Sequence, residues 1–149
     1  MTRRTAHDAL CQSHVNIQER SERCASCPLQ GKMVRGELHS SVPVDYPQVM
    51  VVGEAPGQEE DRTGRPMVGI SGQEARHHLD INGVSRLGVY LTNVVLCHPF
   101  GDRDPTAEEI RNCVTNFLIP TILELQPKYI ITMGRISTQV IQDIQEGKY

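Results

Sequence analysis

Tryptophan is absent, and two phenylalanines and four tyrosines are the whole aromatic complement of the 149 residues. A core built here has to be aliphatic. No apolar run approaches the roughly 20 residues of a membrane-spanning helix, and Met1–Thr2–Arg3–Arg4–Thr5 is not followed by an apolar signal segment. A soluble, cytoplasmic protein is expected, with no membrane partner. An excess of basic residues is also missing: 15 Lys and Arg stand against 18 Asp and Glu, giving a net charge of −3 and a sequence pI near 6.0. That excludes a strongly basic nucleic-acid coat protein. It leaves nucleic acid as a partner only if positive charge is gathered on one face. Five cysteines, an odd number, fit a disulfide framework poorly. In a reducing compartment the Cys24-x-x-Cys27 pair reads instead as metal-binding or redox-active.

What is present is an alternation of strands and helices. Residues 5–22 are compatible with a short helix, and 30–47 read as loop. Val49–Gly53 is apolar and mostly β-branched, as in a strand buried on both faces. The stretch 57–70 has no periodicity and reads as a long irregular loop. Ser71 and Glu74 have capping-box spacing for a helix ending near Asn82–Gly83. A second strand is expected over 89–95. Thr106 and Glu109 form another capping box, opening a helix that Pro120 should kink or split. A third strand follows over 129–133, and Gly134 opens the last helix. This order implies an α/β fold, a three-layer α/β/α sandwich with a central parallel sheet, as a single domain over 1–149.

The first strand breaks into Gly53–Glu54–Ala55–Pro56–Gly57, leaving a carboxylate at its carboxyl end, where open α/β sheets bind ligands. Taken alone this is an ordinary strand-to-loop turn, and Asn93 an ordinary strand-end asparagine. Arg62, Arg65 and Arg103 lie on loops expected to border the same end of the sheet, and Arg135 opens a helix whose amides can take a phosphate. Each arginine by itself also reads as a solvated loop charge.

Together the pieces resemble the family 4 uracil-DNA glycosylases, the iron–sulfur branch of their superfamily. The residues that carry the resemblance are Cys24-x-x-Cys27–Pro28–Leu29; Gly53–Glu54–Ala55–Pro56–Gly57 with Glu60–Asp61 and Gly64–Arg65–Pro66; Val68–Gly69 and Gly72; Leu91–Thr92–Asn93–Val94–Val95 with Cys97, Pro99 and Arg103; and Pro127 through Gly134.

The resemblance implies excision of uracil from DNA by hydrolysis of its N-glycosidic bond, the first step of base excision repair. It implies that Asn93 reads the uracil edge and that Glu54 orients water or supports a cationic sugar. Gly53, Ala55 and Met67 would line the pocket, with Met67 standing where the family usually has a stacking phenylalanine. Arg62, Arg65, Arg103 and Arg135 are the expected DNA contacts. Cys24, Cys27, Cys97 and Cys113 match the ligands of a [4Fe–4S] cluster. Four thiolates suit zinc as well, so that alternative stays open. The resemblance implies a further strand–helix unit with a His-Pro motif; this sequence reaches Tyr149 without it, so weakened activity is expected. Two other functions stay open: an inactive iron–sulfur homologue that binds DNA or protein, and a zinc-stabilised α/β binding module. A monomer is expected, and no protein partner is legible.

Overall fold

Val49–Gly53, strand β2, has every residue buried, as an apolar run covered on both faces requires. The computed structural model describes Cys24, Cys27–Leu29 and residues 31–149. The expected helix over 5–22 lies outside these residues. Around β2 stand β1 (Glu37–His39), β3 (Val89–Asn93) and β4 (Tyr129–Thr132), in the order β1-β3-β2-β4. β3 and β4 both run parallel to β2, as expected.

The sheet is nevertheless mixed rather than wholly parallel. β1 pairs antiparallel with β3 in a stretch that reads as loop, because three half-buried residues are too few to show an alternation. An isolated antiparallel bridge between Met33 and Cys97 continues this edge.

Side chains alternate across the sheet and build two apolar layers. Val49, Val51, Val89 and Leu91 pack with Met67 and Leu79 on one face. Met50, Val52 and Tyr90 pack on the other, with Val114, Phe117, Leu118, Leu125, Val140 and Ile141. The first layer is closed by helix α2 (Ile70–Ile81). The second is closed by α3 (Ala107–Cys113), α4 (Ile119–Leu125) and α5 (Arg135–Gln145). The three-layer arrangement follows from this division. Among the described residues no helix is long and apolar enough to cross a membrane.

The helices depart from expectation in three places, each for a local reason. Gln58–Thr63 forms a short helix, α1, inside the stretch expected to be irregular. It buries no residue, so no apolar periodicity marks it. Its supports are Glu59, Glu60 and Asp61 in the first turn, favourable near the positive helix end, and Gly64 at φ 74° as its stop. Helix α2 begins at Ile70 with Gly69 as its cap, so the Ser71–Glu74 box does not form. The helix is split, as Pro120 leads one to expect, but the division falls ahead of the proline. A π-helical stretch, Val114–Leu118, joins α3 to α4, placing Pro120 in the first turn of α4. The wider turn absorbs a residue that lacks an amide donor, and Thr121 Oγ1 donates to the Phe117 carbonyl at 2.7 Å.

The Thr106–Glu109 capping box does form: Glu109 N donates to Thr106 Oγ1 at 3.3 Å, and Thr106 N to Glu109 Oε2 at 2.8 Å. Replacing Thr106 by Ala should cost about 1 kcal/mol, read as a lower urea midpoint at unchanged slope. Gly72 is more constrained: a methyl built there collides with the Met67 backbone. Gly72→Ala should destabilise by about 1–3 kcal/mol through this overpacking, although Ala is the better helix former by about 1 kcal/mol. A Gly72→Ala protein that melts above the parent would show that α2 can retreat freely.

Candidate active site

Gly53 and Asn93 are register partners at the carboxyl ends of β2 and β3. The chain leaves β2 toward β3 on one side, then crosses back to β4 on the other. That reversal puts the topological switch point beside β2, between its end and that of β4, so the carboxyl end of β2 is the expected ligand position. Backbone bonds continue past the strands: Val94 N donates to the Gly53 carbonyl at 2.8 Å and Val95 N to the Glu54 carbonyl at 3.1 Å. Met133 N donates to the Val52 carbonyl at 2.9 Å.

The side chains at this end converge. A methyl on Gly53 would collide with Asn93 Oδ1 and would meet Met67 Cε at 3.6 Å. Only a residue without a side chain permits the asparagine amide to lie over this backbone. Asn93 is 6% exposed, and its amide makes no hydrogen bond among the described residues. A buried amide usually finds partners in its own protein, so this one is available to a ligand. Met67 is buried beside it with φ 53°, a left-handed backbone conformation unusual for a residue with a side chain.

Glu54 is half-buried one residue beyond Gly53. Its carboxyl is held above the ordinary glutamate value, chiefly by burial. The charge of Asp104 and a hydrogen bond with it add to the shift, while Arg135 opposes it. Asp104 was not expected at the site. It arrives on the long loop after β3, whose far end is pinned by a bidentate pair between Arg103 and the fully buried Glu109, at 2.7 and 3.0 Å. Nothing in the sequence sets Asp104 apart from the other acidic residues of that loop.

The four candidate DNA-contacting arginines border this end, each in an ion pair. Arg62 meets Glu59 at 2.7 Å, Arg65 meets Glu37 at 2.9 Å, Arg103 meets Glu109 at 2.7 Å and Arg135 meets Asp104 at 3.9 Å. Beyond them, a cleft of about 690 Å³ opens beside the 28–32 turn, walled in part by Lys32, Asp61, His98 and Phe100. Phe100 is 92% exposed at its rim, a feature the sequence reading missed because one aromatic in a loop carries no pattern.

Cys24, Cys27, Cys97 and Cys113 are free thiols that share one corner of the fold. Cys27 N donates to the Cys24 carbonyl at 2.8 Å, forming a tight turn, and Cys97 Sγ lies 3.4 Å from the Gly31 carbonyl. Burial raises Cys97, with the charges of Cys27 and Cys24 adding to it. Burial also pushes Cys113 up to about 12, and the charges of Cys97, Cys27 and Cys24 contribute. A centre of positive charge would relieve this mutual repulsion. Among the described residues, no three His, Cys, Asp or Glu side chains close on one point as the ligands of a single ion do.

A sequence profile described as the uracil DNA glycosylase superfamily matches residues 40–148. The chain belongs to the uracil-DNA glycosylase superfamily. It is similar to the type-4 uracil-DNA glycosylase of Pyrobaculum aerophilum, 39% identical over 131 residues, 86% of this chain and 64% of that protein. The type-4 enzyme of Thermotoga maritima is 36% identical over 85% of this chain and 65% of its own length. That of Sulfurisphaera tokodaii is 40% identical over 84% of this chain and 56% of its own. The chain thus spans less than two thirds of the length of these curated relatives.

The environment of Glu54 gives a test that needs no substrate. Asp104→Asn should move the Glu54 titration to lower pH, and Arg135→Gln should move it higher, followed by the carboxyl carbon in NMR. Because Glu54 holds its proton more tightly when folded than when unfolded, it contributes stability below the unfolded glutamate value. That contribution disappears as pH rises through the raised folded value, and Asp104→Asn should diminish it.

Proposed function

We propose that this chain carries the uracil-reading and water-positioning half of a uracil-DNA glycosylase. The observation that supports this most is the Asn93 amide, without a partner among the described residues, lying over Gly53 beside Met67. A base buried in the helical stack has to be extruded before it can be read. In such a pocket the Asn93 amide accepts from uracil N3–H and donates to O4. Cytosine presents the reverse pattern and would leave both partners unpaired, which is how the site discriminates. Met67 covers one face of the ring with a soft, adaptable thioether, and the Gly53 and Ala55 backbone lines the pocket. Glu54, ionised, orients the attacking water and supports the oxocarbenium character of the sugar. Hydrolysis releases uracil and leaves an abasic site. Arg62, Arg65 and Arg135 would trade carboxylate partners for phosphates, while Arg103, held on the buried Glu109, would offer only its exposed edge.

We also infer that Cys24, Cys27, Cys97 and Cys113 hold a [4Fe–4S] cluster. The donor set fits: four thiols without disulfides that feel one another's charge, a set suited to iron–sulfur and to zinc. Bound there, the cluster would cross-link Cys24 and Cys27 to Cys97 and Cys113, tying the start of the described chain to the loop and helix after β3. A DNA substrate makes the cytoplasm the expected compartment.

The second reading, a relative that binds DNA without excising bases, is favoured by Met67, which lacks a flat stacking surface. An excision assay on uracil-containing single- and double-stranded oligonucleotides decides between them. Asn93→Ala should lower excision by about 10²-fold or more, and Glu54→Ala and Gly53→Ala should also be impaired while remaining folded. Equal background from all four proteins would eliminate the enzymatic reading. Protein purified without oxygen should be brown and bleach on reduction; a colourless protein carrying zinc would remove the cluster.

A further inference from the structure

Arg76 has no part in the roles described so far, yet it is among the most heavily engaged side chains on this side of the sheet. It projects from the middle of α2 and is only 16% exposed. Its Nε donates to the Met67 carbonyl at 2.8 Å, and its Nη2 to the Pro66 carbonyl at 2.7 Å and to Glu37 Oε2 at 2.7 Å. Nη1 lies 3.3 Å from His39 Nδ1. Glu37 in turn takes Arg65 Nε at 3.0 Å and Nη2 at 3.1 Å.

The arrangement answers a particular difficulty. Met67 sits at φ 53°, where side-chain-bearing residues are disfavoured. The turn also presents two successive carbonyls that need donors. A guanidinium is a rigid planar fork that can serve both and still reach a carboxylate; an ammonium is a point donor that cannot hold the same plane. Gly72, one turn earlier on α2, brings the helix into direct contact with the Met67 backbone. The clamp therefore acts at close range on the residue whose Cε faces Gly53.

We propose that Arg76 is a positioning residue for the base-reading pocket: by holding the Pro66 and Met67 carbonyls it keeps the Met67 side chain against Gly53 and Asn93. The β1 edge strand belongs to the same device, since Glu37 and His39 fix the far side of the guanidinium. The functional consequence rests on the uracil reading given above; the geometric one does not.

The test uses the full chain with methyl-labelled methionine. In the parent protein the Met67 methyl should show a nuclear Overhauser contact to the Gly53 α-protons. Arg76→Ala and Arg76→Lys should both lose it while the Met50 methyl, in the opposite apolar layer, keeps its contacts. With uracil-containing single-stranded oligonucleotide, both variants should raise KM by on the order of tenfold, with a smaller fall in kcat, because the pocket wall is displaced rather than removed. His78→Gln, on the exposed side of the same helix and outside the clamp, should keep the contact and the parent KM. Persistence of the Met67–Gly53 contact in both variants would overturn the proposal, as would simultaneous loss of the Met50 contacts, which marks a general structural role. A parent protein that excises nothing, combined with selective loss of the contact in the variants, would uphold the clamp and discard the uracil reading.

Discussion

The candidate site depends on one missing atom. Because Gly53 has no Cβ, the last residue of β2 and its partner on β3 can share the same space, the asparagine amide occupying what a side chain would fill. Everything else at this end of the sheet is arranged around that vacancy. The next peptide carries Glu54, the bonds from Val94 and Val95 bind the two outgoing loops together, and the Met67 turn closes the remaining side. The sheet supplies rigidity through strands buried on both faces. The loops supply chemistry, which is the usual division of labour in a protein of this architecture.

The reliably legible parts of the sequence are those where one physical cause acts alone. Val49–Gly53 and Val89–Asn93 are apolar because both faces are covered, and the Thr106 box forms because Glu109 is also tied to Arg103. The Ser71 box illustrates the opposite case. Its spacing is right, but tertiary contacts start α2 at Ile70: Gly69 N is held by Glu60 Oε1 at 3.1 Å, and Gln73 Nε2 donates to the Val68 carbonyl at 2.8 Å. Local pattern lost to a neighbour nine residues away. Helix α1 and strand β1 were hidden for a related reason. Neither buries enough apolar surface to leave a period, and what β1 does is polar: it brings Glu37 and His39 to Arg76. Gly53 and Glu54 stand out as a turn at a strand end, whereas Asn93, alone an ordinary strand-end asparagine, takes its candidate role only from the resemblance. Asp104 and Arg76 were not legible, because their meaning lies in which carboxylate or carbonyl they meet across the fold.

The two layers of the sandwich have different duties. On the layer with α3, α4 and α5, a π-helical stretch carries the chain from α3 into α4, and the aliphatic core reaches Cys113. That layer ties the cysteine corner to the sheet. On the other layer α2 does little beyond closing a small core, yet its Gly72 and Arg76 both act on Met67. A displacement of the cysteine corner would reach the site through the loop after β3, which holds Asp104 near Glu54. A displacement of α2 would reach it through Met67. The site thus has two mechanical inputs, one from each face.

Charge sets the terms on which such a site could meet DNA. The net charge of −3 gives no general attraction, and each candidate arginine already has a carboxylate partner. These pairs are not equivalent. Those of Arg62 and Arg135 are largely exposed, so solvent and salt leave them weak and a phosphate can replace the carboxylate at little cost. Arg103 is different: moving it would leave Glu109 charged and fully buried, a substantial penalty. On the proposed reading, Arg103 would meet DNA only with its exposed edge, staying anchored on Glu109. Arg62 and Arg135 would take part by exchange. An interface formed mainly by exchange gains less from counterion release than one built on unpaired cations. On the proposed reading, selectivity for the substrate would then come from the Asn93 amide over Gly53, which has no partner among the described residues, more than from the surface around it.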